Sequence, residues 1–229
     1  SNKSHYGGFS FSLSIIIINL FLIIFFKDLY LNNLNNLFYL TIIILLSGFF
    51  GLIDEKYSCK PIEKIILQII ISVLLILNGK ILYFSSNEIL NYSFSVIYFL
   101  FIFNIVNMFD NIDLGLTSIT IPIIIFILYF SNYNSLLLYC ILGSLFAFTI
   151  FNSYPSKIFM GDMGSFQIST ILIAFSTELF WNGFIFKGYV ASFYNLGLHN
   201  LIFLIPILDF VIVSFKRITL GKSILVGDT

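Results

Sequence analysis

Charge is what this sequence has least of. Asp, Glu, Lys and Arg make up 10% of its 229 residues, against about a quarter in an average soluble domain, so a water-soluble globular enzyme is excluded. The net charge is zero; it gives no sign of a nucleic-acid partner, and none is expected. Cysteine occurs twice, at Cys59 and Cys140, too few and too far apart for a disulfide framework, and both read as reduced packing residues. No proline-rich or glycine-rich linker divides the chain, no internal repeat is visible, and no inverted pair of broken helices marks a secondary transporter. The start, S-N-K-S-H-Y-G-G, is polar and opens directly on an apolar run without a small-residue cleavage site, so no cleavable signal peptide is expected.

What is present is apolar: 59% of the residues are hydrophobic and 19% aromatic. They fall in runs of about 16 to 20, long enough to cross a hydrocarbon core of roughly 30 Å as helices and too uniform for barrel strands. The expected fold is all-α, a polytopic membrane helix bundle forming one domain in the lipid bilayer. Eight spans are expected, near 9–26, 37–53, 62–77, 92–109, 114–130, 134–151, 165–181 and 198–215. Alternating the connections puts Lys3, Lys56, Lys60, Lys64, Lys157, Lys216, Arg217 and Lys222 on one side, against Lys27, Lys80 and Lys187 on the other. The richer side is cytoplasmic by the positive-inside rule. The same side collects Asp54, Glu55, Asp110, Asp113, Asp162 and Asp228, although acidic residues contribute little to topology.

Four stretches on that side carry chemistry. In N-I-V-N-M-F-D-N-I-D-L-G-L, Asn104, Asn107 and Asn111 fall at near-helical spacing, with Asp110 and Asp113 where the helix leaves the membrane. Such a stripe could hold a cation or a phosphate, or serve as interhelical amide bonding with Asp110 as a cap. In G-L-I-D-E-K-Y-S-C-K-P-I-E-K-I-I-L-Q, Asp54 and Glu55 leave the second span, and Lys64 and Gln68 follow one turn apart. Interfacial charge with snorkelling lysines is one reading; a base or metal site with Lys64 on a phosphate is the other. In P-S-K-I-F-M-G-D-M-G-S-F, Asp162 stands between Gly161 and Gly164, before Ser165. That pattern suits a capped glycine turn, or a backbone approaching a diphosphate beside Mg²⁺. The fourth, P-I-L-D-F-V-I-V-S-F-K-R-I-T-L-G-K-S, places Asp209 in an apolar run closed by Lys216 and Arg217, with Lys222 beyond. The basic trio reads as topogenic on its own, while a buried Asp209 calls for a partner, with Lys216 two turns away. His199 and Glu178 read as interfacial residues at the outer side, and His5 as part of a polar tail.

Taken in this order, the motifs resemble the polyprenyl-phosphate N-acetylhexosamine-1-phosphate transferase superfamily, glycosyltransferase family 4. G-x-x-D-D with K/R-x-x-x-Q is similar to Gly51–Gln68, Glu55 replacing the second acid. N-x-x-N-x-x-D-G-x-D-G is similar to Asn104–Leu114, with Asn111 and Leu114 replacing glycines, and F-x-G-D-x-G-S matches Phe159–Ser165 without a break. P-I-L-D, a later Arg and G-K-S resemble the N-acetylglucosamine branch more than the phospho-N-acetylmuramoyl-pentapeptide branch. The resemblance implies about ten or eleven spans, so a chain shortened at both ends is expected, cut before a histidine-rich loop that follows an aspartate like Asp228.

It further implies Mg²⁺-dependent transfer of a sugar 1-phosphate from a UDP-amino sugar to undecaprenyl phosphate, releasing UMP, at the start of cell-envelope glycan synthesis such as O-antigen. The site would face the cytoplasm at the inner (plasma) membrane, and homodimers occur in the family. By the same resemblance Asp54, with Glu55, would deprotonate or position the lipid phosphate, and Asp162 would ligate Mg²⁺. Asn107, Asp110 and Asp113 would shape the nucleotide and metal site with Asn104 and Asn111, while Lys64 and Lys222 would bind substrate. Two other readings are kept: a cation- or proton-coupled transporter using Asn104, Asp110 and Asp209, and a non-catalytic relative. Leucine at 114 is expected to resist the tight turn that the family glycine allows.

Overall fold

The computed structural model describes residues 7–25, 34–111, 113–131, 136–182, 189–219 and 221. Every regular element among them is helical: α1 Gly7–Phe25, α2 Leu34–Tyr57, α3 Pro61–Leu77, α4 Glu88–Asn107, α5 Gly115–Phe130, α6 Leu136–Asn152, α7 Gly161–Thr177, α8 Tyr189–Ile202 and α9 Leu204–Thr219. A 3₁₀ turn, Met108–Asn111, extends α4, and a π-helical turn, Glu178–Asn182, extends α7. The all-α membrane bundle is as expected. By length and hydropathy, four described helices can cross a bilayer alone, or five if the bent α8–α9 pair counts as one span. Helices α5 and α6 are shorter and apolar.

The helix ends follow local chemistry. Pro61 opens α3, where its missing N–H is no loss, and Lys60 N donates to Glu63 Oε2 at 2.8 Å. Asn87 caps α4 by accepting from Ile89 N at 2.9 Å. In the connection before it, Asn91 Oδ1 takes the amides of Phe84 and Ser85, so the loop's backbone is satisfied by a side chain.

Two expected boundaries move and one span breaks. Helix α2 runs on to Tyr57, so Asp54 and Glu55 lie on its last turns rather than in a connection. Helix α7 begins at Gly161, whose φ of 74° suits glycine, and Asp162 therefore sits in its first turn. There a carboxylate complements the helix dipole. The expected last span, 198–215, is two helices bent by 75°. The physical reason is Pro206, which has no N–H for the Ile202 carbonyl and crowds it. The new helix starts at once, with Ile207 N bonded to Phe203 O at 2.9 Å.

At the centre stands α7, the most buried span and also the least apolar of the four. Its hydroxyls return to carbonyls one turn back, Ser169 to Ser165 O, Thr170 to Phe166 O and Ser176 to Leu172 O, which removes their need for water. Gln167 Nε2 donates to Ser12 Oγ of α1 at 2.7 Å. Close backbone approach is what the glycines provide. A Cβ at Gly8 would lie 2.5 Å from Gly164 N, and one at Gly51 would lie 2.2 Å from Asp162 O. Thus α1 and α2 press directly on the start of α7, and the first two amides of α1 donate to Phe159 O and Met160 O at 3.1 and 2.8 Å.

Candidate active site

The glycine contacts bring four segments to one end of the bundle. Gly51 seats α2 on the Asp162 turn, so Asp54, one turn further along α2, arrives beside Lys64 of α3 and Asp162 of α7. Lys64 Nζ lies 2.6 Å from Asp54 Oδ2 and 3.5 Å from Asp162 Oδ1. Its third proton goes to Asn107 Oδ1 at 3.2 Å, with the amide turned so that Asn107 Nδ2 donates to Asp162 Oδ1 at 2.9 Å. Ser165 Oγ meets the same amide, and Phe166 places its ring 5.6 Å from the ammonium. The cation is thus shared by two carboxylates from different helices. Asp54 is nearly hidden, with 6% of its side chain exposed, whereas Asp162 keeps 30% and Lys64 21%.

One turn deeper is a second rung between α3 and α4: Asn104 Nδ2 donates to Gln68 Oε1 at 3.2 Å and to Leu100 O at 2.8 Å. The expected stripe of Asn104 and Asn107 is therefore real, and it faces α3. It does not extend to Asn111 as a continuous helix, because α4 tightens into the 3₁₀ turn at Met108.

Asp110 does not cap its own helix. Its carboxylate is half-buried and accepts from the backbone amides of Gly161 and Met160, within electrostatic reach of Asp162 and Glu55. Glu55 itself lies on the exposed side of α2, so the two adjacent acids are not an equivalent pair: Asp54 joins Lys64 and Glu55 borders the mouth. Asp113 is held elsewhere, accepting from Ser156 Oγ at 2.6 Å and Ser156 N at 3.4 Å. Outside the spans, Cys59 is a free thiol. Desolvation, then the Asp54 and Glu63 carboxylates, push its pKa above the ordinary thiol value.

Leu114 does not resist the turn. It adopts φ 61°, a left-handed geometry that costs an L-residue about 1–2 kcal/mol. Its N–H is taken by Asn152 Oδ1 at 2.9 Å and its carbonyl by Ser118 N at 2.9 Å. Sequence reasoning passed over Ser156, Asn152 and the Asn107 contact of Ser165. The unbroken F-x-G-D-x-G-S match was the available signal for Ser165; nothing local pointed to the other two.

Several sequence readings are corrected. His199 is not interfacial but buried, 1% exposed, with Trp181 Nε1 donating to Nδ1 at 3.3 Å and Ser176 Oγ 2.7 Å from Nε2. Helix α8 folds inward here against α4 and α7, closing Tyr98, Phe180 and Phe203 around the ring. Glu178 pairs with Lys80 at the end of the bundle opposite Lys64. Asp209 stays part-exposed on α9, and no ion pair to Lys216 forms among the described residues, since α9 lies on the bundle's outside with little but Pro206 buried. His5, Lys222 and Asp228 lie outside the described residues.

A bundle with carboxylates, amides and one lysine converging at its mouth is a multi-pass membrane protein with a polar site at one end. The sequence profile of Glycosyl transferase family 4 matches residues 37–180, a stretch that contains every residue of the Lys64 cluster. Among curated proteins, the phospho-N-acetylmuramoyl-pentapeptide-transferase of Dictyoglomus turgidum is 32% identical over 166 residues, covering 67% of this chain and 53% of the relative. Enzymes of the same name from Streptococcus pneumoniae and Streptococcus agalactiae are 30% identical over 195 residues (76% of this chain, 58% of theirs) and 29% over 220 (82% and 63%). The chain belongs to Glycosyl transferase family 4, and it spans roughly half to three-fifths of the length of these relatives. Their name belongs to the branch opposite to the one P-I-L-D and G-K-S suggested, so that expectation is overturned. It had rested on residues 206–223, beyond the family match.

Proposed function

We propose that this chain carries the catalytic part of an enzyme that transfers a sugar 1-phosphate from a UDP-sugar to a polyprenyl phosphate such as undecaprenyl phosphate, releasing UMP. The observation that carries the reading is Lys64, a cation held at a membrane mouth between Asp54 and Asp162 by residues from four segments. Both reactants are anions, and their mutual repulsion must be offset before in-line attack. In the reaction an oxygen of the lipid phosphate forms a bond to the β-phosphorus of the donor. The bond from that phosphorus to the bridging oxygen breaks, and UMP leaves with the electron pair.

Lys64 is the residue that receives the lipid phosphate, exchanging its contact with Asp162 for one with the substrate. Asp54 stays behind it and fixes the ammonium; this is how it positions the nucleophile. Asn107 and Ser165 orient the Asp162 carboxylate, and Asp110 braces the start of α7. Mg²⁺ fits the donors present: Asp162 offers hard oxygens on an open side, and such an ion asks for only one or two carboxylates when phosphates and water complete its shell. Among the described residues no group of three or more His, Cys, Asp or Glu is placed to hold a metal. Asp162 would hold the ion, and bound Mg²⁺ would offset diphosphate charge.

The relatives make the UDP ester of N-acetylmuramoyl-pentapeptide the first donor to test, with UDP-N-acetylglucosamine beside it. The excess of basic residues on the site's side supports a cytoplasmic active face at the plasma membrane. The experiment is UMP release by the full-length protein in detergent, with undecaprenyl phosphate, each donor, and Mg²⁺ present or chelated. Release from either donor, lost on chelation, is expected. No release by folded protein from any UDP-sugar would sink the reading, and activity untouched by Asp162→Asn would place it outside this site.

A further inference from the structure

We infer that Asn152 and Ser156 are positioning residues that join the two acid-bearing walls of the site and set the direction of the Asp113 carboxylate. The inference rests on the proposed transfer reaction for its catalytic part only. Asn152 ends α6 and is buried, 3% exposed. Its Oδ1 takes the N–H of left-handed Leu114, and its Nδ2 donates to Ile158 O at 2.9 Å. One amide thus ties the 3₁₀-to-α5 turn to the connection that leads into Asp162.

Ser156, 6% exposed, closes the same seam from the other side, its hydroxyl and amide donating to opposite oxygens of Asp113. The far edge of that connection is pinned by Gly7 and Gly8 of α1 through Phe159 O and Met160 O. Asp113 and Asp162 therefore belong to one braced unit. Two donors from one residue, one on each oxygen, fix the orientation of the Asp113 carboxylate.

The test uses the full chain in detergent. Asn152→Ala lowers Tm by about 5 °C in the native background, and by about half as much in the Leu114→Gly background, because glycine needs no help to hold a positive φ. Ser156→Ala raises the donor KM about tenfold, with kcat and the lipid-phosphate KM within about threefold. Ser156→Thr, which keeps the hydroxyl, restores it. Additive Tm changes for Asn152→Ala and Leu114→Gly would overturn the brace, and an unmoved donor KM in Ser156→Ala would overturn the role of Ser156. If no donor turns over in any preparation but the Tm coupling persists, the proposed reaction falls and the brace stands.

Discussion

The bundle carries a polar cluster at each end, and the two are built on opposite plans. At one end, His199 is shut in with a partner on each ring nitrogen, and Lys80 and Glu178 face one another. At the other, Lys64 divides its protons among Asp54, Asp162 and Asn107, and Asp162 keeps an open side. Both clusters put polar groups into an otherwise apolar bundle. The His199 cluster saturates itself and behaves as a fastener; the Lys64 cluster holds a cation with several partners. What sets the two apart is competition for one cation next to a part-exposed carboxylate.

That contrast can be broken most sharply at Asp162. Asp162→Asn should cut UMP release about a thousandfold, the upper range for losing one charge-stabilising group, while Tm moves little because the side chain is part-exposed. Next comes Lys64→Ala. Turnover should fall about a hundredfold, and stability should drop by about 2–3 kcal/mol, because Asp54 is left hidden without its cation; thermal unfolding in detergent measures the second effect.

The His199 cluster should answer in the opposite sense. His199→Ala should cost about 2–3 kcal/mol through the cavity and the unpaired Trp181 N–H, yet kcat of the folded fraction should stay within about threefold. A collapse of kcat at constant Tm would erase the distinction between the ends. The smallest effect is at Cys59. Its raised pKa leaves less thiolate at a given pH, so maleimide labelling should keep accelerating with pH beyond the ordinary thiol range. Asp54→Asn removes a nearby negative charge, lowers that pKa and should speed labelling about twofold.

The parts of the site visible in the sequence were those written as spacing. Gly51, Asp54, Lys64 and Gln68, the asparagines at 104 and 107, and Phe159–Ser165 each sit in a short pattern with a physical reason. Alternating the spans was enough to bring them to one face. What stayed hidden depends on neighbours distant in sequence. Leu114 looked misplaced because the amide that supports its backbone is Asn152, on another helix. His199 looked interfacial because its enclosure comes from α4 and the π-helical turn. The bend at Phe203 lay within an unbroken apolar run, where hydropathy reads one span and only Pro206 hinted at two. The branch expectation disagrees with the names of the relatives for a different reason: it was read from the fourth stretch alone, outside the family match.

The placement of α7 also bears on how the protein is made. With hydroxyls and an amide along its length and little surface left for lipid, α7 is held by the helices around it more than by the bilayer. Its stable position is a slot already walled by α1, α2 and α4, all synthesised before it. Asp162 travels into place on the first turn of that late arrival, so the site closes only when the last wall of the core is seated.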